Sequence, residues 1–402
     1  MATCITMAVV GMLNLLTTPL FTYKSMSRFF CTFNGWRLGW YALSALGVSS
    51  SWAAAPYHLS WDMHASAHSP AMPIHKLIND AHAPLDAGDY AFVQGRTSLD
   101  YQTTDSFLGY GLSTRYDYGL EFNHGASQVF WHYKNDVNPA PNQHHTLSIH
   151  ASHTHRYGAN IFAKFTPHPN WTLTPRLHLY KGVRLIEGNI TGELTTSSNT
   201  NTPRRHQAIW TANADVNYYY DTPALKEQHM GWNPNAPEGY GYGLDVALAG
   251  QLSPKTTLTV QGLDVIGHLY WQNVPNTNYH LDYAQDSRYV YNIQGQLDDT
   301  ATLTQRLPWR IESHLHHQVT PRYHATLTSQ FNTYTHLHQV GIGTTYALGD
   351  TSINTTLLLE PQTHSVGVLM TTPNLSVKWL TDTLNTNHAK RGDILLGAHY
   401  AW

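Results

Sequence analysis

Apolar and polar residues take turns along much of this chain, and a period of two marks β-strands whose two faces meet different surroundings. From Leu108 to Phe122 the even positions read Leu108, Tyr110, Leu112, Thr114, Tyr116, Tyr118, Leu120 and Phe122, with Gly111, Ser113, Arg115, Asp117 and Glu121 between them. Trp171 to Leu185 sets Trp171, Leu173, Leu177, Leu179, Val183 and Leu185 against Thr172, Thr174, Arg176, His178 and Arg184. Ala208 to Tyr220 opposes Ala212, Ala214, Val216 and Tyr218 to Thr211, Asn213, Asp215 and Asn217, and Tyr240 to Gln251 opposes Tyr242, Leu244, Val246 and Leu248 to Gly243, Asp245 and Gln251. The final stretch, Gly392 to Trp402, puts Ile394, Leu396, Ala398, Tyr400 and Trp402 on one face.

Turn formers divide these runs. Tight turns are expected at Pro167–Asn170, Ser253–Thr256, Thr320–Tyr323, Gly349–Asp350 and Pro373–Asn374. Longer polar connections are expected at Asn135–Gln143, Ser197–Arg205, Thr222–Gly239, Asn273–Arg288 and Asp382–Arg391. Some runs exceed the ~9 to 11 residues that cross a bilayer at a tilt, so several strands should project beyond it. Short turns at one rim and long loops at the other are the habit of transmembrane barrels. The expected fold is all-β: a closed antiparallel transmembrane β-barrel over residues 89–402, with about 14 strands (range 12 to 16).

Composition supports that reading. Charged residues are only 12% and aromatics 12%, with 25 tyrosines and 12 tryptophans, which suits strands facing lipid with aromatic ends at the headgroups. The formal charge of -3 argues against nucleic-acid binding. Residues 1–53 read as a presequence: Arg28 and Arg37, the apolar run Leu38 to Val48, then small residues around Ala53, with Met26 as an alternative start. Both cysteines, Cys4 and Cys31, fall inside it, so no disulfide is expected in the exported chain.

An alternating last strand with an aromatic carboxyl end resembles the assembly signal of Gram-negative outer-membrane β-barrels. That resemblance implies the outer membrane as location, its lipid as a partner, and the barrel assembly machinery as a partner reached through the strand ending in Trp402. Residues 54–88, with Pro56, Pro70, Pro73 and Pro84, are expected to form an irregular plug or periplasmic tail. A plug before a barrel resembles the long-chain fatty-acid transporter family, whose barrels have 14 strands and an amino-terminal hatch. Gly243-Leu244-Asp245, followed by Leu258 to Gly267, also resembles that family and its uncharacterised relatives. Its Asn-Pro-Ala element is missing near the mature amino end, so hatch chemistry and a fatty substrate are not carried over.

Histidine is abundant, with 27 residues, all after the presequence. His58, His64, His68, His75 and His82, with Met63, Met72, Asp62 and Asp80, are ligand types for copper or zinc, but Pro70 and Pro73 break any helix that would gather them, and no metal or other cofactor is assigned. Glu312, His314 and His316, followed by His324, Thr326, Thr328, Gln330 and His336, are expected to face the lumen, with Leu337 outside; such histidines could shift ion preference toward anions on acidification. The lumen or solute candidates are therefore Arg115, Asp117, Glu121, Arg176, Asp215, Asp245, Glu312, His314 and His316. No nucleophile elbow, zinc-protease helix, phosphate loop or dinucleotide fingerprint occurs, so the chain is not read as an enzyme. The expected function is a conduit for small or hydrophobic solutes. The alternatives are a non-transporting barrel that anchors an envelope or surface assembly and, third, a barrel-embedded hydrolase.

Overall fold

A computed structural model describes residues 57–402 apart from 79–85, 136, 138–139, 199–208, 224–226, 228–230, 285–289, 350 and 402. The expectations placed on the presequence, on Asp80 and His82 and on Trp402 lie outside the described residues. Seventeen strands form one closed antiparallel sheet: β1 (Tyr57–His68), β2 (Tyr90–Thr103), β3 (Leu108–Phe122), β4 (His144–Ala163), β5 (Phe165–His168), β6 (Trp171–Ser197), β7 (Ile209–Tyr220), β8 (Glu238–Ser253), β9 (Thr256–Ala284), β10 (Val290–Arg306), β11 (Arg310–Gln318), β12 (Tyr323–Asn332), β13 (His336–Leu348), β14 (Thr351–Glu360), β15 (Ser365–Thr371), β16 (Leu375–Thr381) and β17 (Arg391–Ala401). β5 continues β4, β7 and β8 lie end to end between β6 and β9, and β10 and β11 lie end to end beyond β9. The wall therefore has 14 strand positions, as expected. Closure leaves no edge, which is the condition for placing a sheet in hydrocarbon.

The barrel closes on β1, and here the structure corrects the sequence reading. Tyr57–His68 is a wall strand, paired with β17 on one side and β2 on the other. Tyr57, Leu59, Trp61, Met63, Ala65 and Ala67 do alternate with His58, Ser60, Asp62, His64, Ser66 and His68; the flanking prolines Pro56 and Pro70 bound this strand and do not interrupt it. Among the described residues, the stretch after it holds one helical turn, α1 (Ile74–Ile78). His58, His64 and His68 are strung along this extended strand, where positions four apart stand roughly 13 Å apart, and His75 lies in α1. Among the described residues no group of three or more metal-ligand side chains converges.

The expected turns separate β5 from β6, β8 from β9, β11 from β12, β13 from β14 and β15 from β16, all at the rim that also holds Tyr57 and Ala401. A sixth, at 104–107, was not anticipated. Long connections gather at the other rim, and the one at 123–143 carries helix α2 (His124–Lys134), whose first turn is capped by the Asn123 side chain through the Ala126 amide at 2.9 Å. An outward belt of exposed apolar side chains circles the wall, with Leu112, Leu179, Ile342 and Leu357 each more than 60% exposed. That is the face a lipid-embedded barrel presents.

Several strands outrun the belt. β6 has 27 residues and β9 has 29, so each is roughly 90 Å long at ~3.3 Å per residue, against an apolar band of ~25 Å. The expected connection at Asn273–Arg288 is thus mostly strand, because β9 runs on to Ala284. A bulge at Val183, seen as a register shift opposite His155 and Arg156, moves the apolar positions of β6 from odd (Leu177, Leu179) to even (Ile186, Ile190, Leu194). Ile186, Ile190, Leu194, Ala212, Ala214, Val216, Tyr218 and Tyr220 pack into one buried cluster with Leu147 and Ile149 of β4 and with Ala126, Val129 and Phe130 of α2. The connection after β7 joins this cover: the Trp232 indole donates to the Tyr220 hydroxyl at 2.9 Å, and the Thr277 hydroxyl donates to Glu227 at 3.0 Å. The apolar face of β7, expected against lipid, is covered by protein.

Candidate functional site

Within the barrel the polar positions of neighbouring strands converge on a buried ion lattice. Arg115 of β3 donates from Nη1 to Asp245 of β8 at 3.1 Å and to Asp264 of β9 at 2.5 Å. Arg156 of β4 bonds Asp264 at 2.6 Å and Asp117 of β3 at 2.7 Å. His178 of β6 sits 2.9 Å from Asp245, and its ring stacks on Tyr180, over which Arg156 also lies at 5.0 Å. Asp264 holds a left-handed backbone (φ 46) in a bulge opposite Asp245, and its amide donates to Asp245 at 2.8 Å. Aspartate is among the few residues that tolerate this conformation.

The lattice continues to the far wall. His64 of β1 accepts from Arg310 of β11 at 2.9 Å through Nδ1 and, through Nε2, reaches Asp393 of β17 at 2.9 Å. Arg310 also bonds Glu312, which lies 3.5 Å from Arg96 of β2. Asp393 takes Lys378 at 3.2 Å and Arg391 at 3.0 Å, and Arg391 bonds Glu360 at 2.8 Å. β1 and β11 stand seven positions apart in a wall of fourteen, so the His64–Arg310 bond spans the barrel. Gln94 of β2 and Asn332 of β12, equally distant around the wall, meet at 3.5 Å. Tyr334, in the turn after β12, stacks on Phe92 of β2 at 6.0 Å and lies so close to Gly119 that a Cβ there would overlap its hydroxyl.

Two numbers decide what this interior can do. The gap left among Arg96, Arg115, Asp117, Asp264 and Arg310 is 20 Å³, room for about one water. The lattice contains six permanent cations (Arg96, Arg115, Arg156, Arg310, Lys378, Arg391) and six carboxylates (Asp117, Asp245, Asp264, Glu312, Glu360, Asp393), so its formal charge is balanced. A charge-selective pore needs an unbalanced ring and open width. Among the described residues, neither is seen at the height of this lattice.

Of the sequence candidates, Arg115, Asp117, Asp245 and Glu312 belong to the lattice. His314 faces the lumen beside Thr328 at 2.9 Å, and His316 lies against the His324 ring at 4.9 Å. Arg176 stands apart, near the turn rim, bound to both Asp100 oxygens at 2.7 Å. Glu121 is exposed at the top of β3. Asp215 pairs in register with Thr191, and Thr191 with Ser148, which shares the even face of β4 with Arg156. It therefore lies on the lumen-side face, but high on the arms, exposed and bound to His280 at 2.7 Å. His336 and Leu337 exchange their expected faces: β12 ends at Asn332, and after the turn Leu337 is buried inside while His336 pairs with the outward Phe331. Arg96, Arg156, Asp264, Arg310, Glu360, Lys378, Arg391 and Asp393 were not singled out as lumen residues, and His64 was weighed only as a metal ligand. One signal was present, since Gly-Leu-Asp-Val occurs twice, at 243–246 and 262–265, and supplies both Asp245 and Asp264.

A second feature opens at the turn rim. A cavity of 500 Å³ is lined by residues that include His58, Ser60, Asp100, Gln102, Phe162, Lys164, Thr174, Arg176, Asn374 and His399.

A closed sheet with an apolar belt outside and paired charges inside defines a transmembrane β-barrel of the Gram-negative outer-membrane type. The chain belongs to a family of unknown function, DUF5723, whose model matches residues 79–399. No curated protein matches it. Similar solved structures include the toluene transporter TodX of P. putida (11% identity over 88% of this chain and 91% of that one, TM-score 0.34). Others are the toluene transporter TbuX of Ralstonia pickettii (8%, 87% and 90%, TM-score 0.31) and the translocator domain of the autotransporter NalP from Neisseria meningitidis (8%, 93% and 96%, TM-score 0.27).

Proposed function

We propose that this protein is a non-conducting outer-membrane barrel that anchors and presents the structure built at its long-loop rim. The observation that carries this reading is the bond from His64 to Arg310 across the full width of the wall. Opening an axial path would separate buried ion pairs, and leaving one buried charge without its partner costs about 3–5 kcal/mol. What the barrel supports is substantial: the strand arms and α2 share one apolar core beyond the belt, and the connection after β7 is hydrogen-bonded onto the arms. The test is liposome swelling with small sugars. Proteoliposomes should swell no faster than protein-free vesicles, and fast swelling would return the protein to the conduit class.

A conduit remains the second reading, favoured by the cavity at the turn rim. In that reading the structure is a shut state and a solute must part the lattice. The lining mixes polar groups such as Asp100, Lys164 and Arg176 with apolar ones such as Leu59, Tyr101 and Phe162.

A further inference from the structure

The cavity at the turn rim has the parts of a binding site. Arg176 is held in place from two sides: Asp100 takes Nη1 through both oxygens, with Asn160 at 3.3 Å, and the guanidinium lies over the Phe162 ring at 4.5 Å. All these hydrogen bonds run through Nη1, so Nη2 and Nε are left for another acceptor. Asp100 and Arg176 cancel in charge, which leaves Lys164 as the uncompensated charge of the lining. Around them stand polar side chains and imidazoles, His58, Ser60, Gln102, Thr174, Asn374 and His399, beside apolar surface from residues such as Leu59 and Tyr101. The volume, 500 Å³, falls in the range of small-molecule sites.

We infer that this cavity binds a small hydroxylated carboxylate, a sugar acid by chemical class. The carboxylate lies between the Lys164 ammonium and the free edge of Arg176, while the hydroxyls use the surrounding side chains. An apolar acid would strand those polar groups without partners, and a neutral sugar would forgo the charge-assisted bonds. Such a site needs no passage through the barrel, so it stands whether or not the lumen conducts.

Isothermal titration of the full-length protein in nanodiscs, against empty nanodiscs, tests this with gluconate, glucose and hexanoate as probes. Gluconate should bind at least tenfold more tightly than either of the others. Lys164→Met should weaken gluconate tenfold or more, and Lys164→Arg should keep most of the affinity. Equal binding of glucose, equal binding of hexanoate, no binding of gluconate, or a Lys164→Met variant indistinguishable from the parent would each overturn the assignment. Swelling assays on the same samples report separately on conduction, so a failure there leaves this result intact.

Discussion

Arg156 is fully buried and serves two carboxylates, Asp117 and Asp264. Arg156→Met removes one cation from a balanced set and leaves both acids without it, so it should destabilise the barrel by about 3–5 kcal/mol, read as a lowered urea midpoint in detergent. An unchanged midpoint would mean that water reaches the pair. On the arms the electrostatics are gentler. His280 is held above the ordinary histidine range, first by its hydrogen bond to Asp215 and then by the Asp282 charge. Its protonated form is favoured by the fold, so this contribution is complete below the unfolded value near 6.5 and fades as pH rises through the raised one. NMR titration should find that raised value, and Asp215→Asn should bring it down. Which of these residues face inward was legible from parity in β3, β8 and β11. Which of them meet was not, because the partners of Arg115 and His64 are set by strand order and stagger around a closed wall.

At the scale of elements, alternation was a good guide to strands and a poor guide to what covers them. The even positions of β3 are exposed at Leu108, Tyr110 and Leu112 but buried at Leu120 and Phe122, where the strand leaves the belt and meets other protein. Local sequence does not mark that change of surroundings. β1 was missed because the prolines of the 54–88 window hid a regular run between Pro56 and Pro70. Two predictions separate these environments. Ile190→Ala, in the arm cluster, should cost about 2–5 kcal/mol of stability as a core truncation, whereas a lipid-facing site would register far less. Deleting residues 57–68 should abolish the compact, fast-migrating form in unheated gels, since β17 and β2 would lose their shared neighbour. A plug or tail could be removed with that form intact.

For the whole molecule, the account joins a lipid-facing belt, arms that carry their own apolar core, and an interior whose opposite walls touch. The fourteen-position barrel could be read from strand and turn counts. Its cross-wall contacts could not, because they depend on the cross-sectional shape, which no linear pattern records. The anion preference anticipated from the lumen histidines presumes an open path, which a barrel shut by this lattice, as proposed, would not offer. Single-channel recording in planar bilayers tests the central claim most directly: the purified protein, inserted and folded, should give no stepwise conductance across the voltage range the bilayer survives. Regular porin-like steps from the unmodified chain would contradict it.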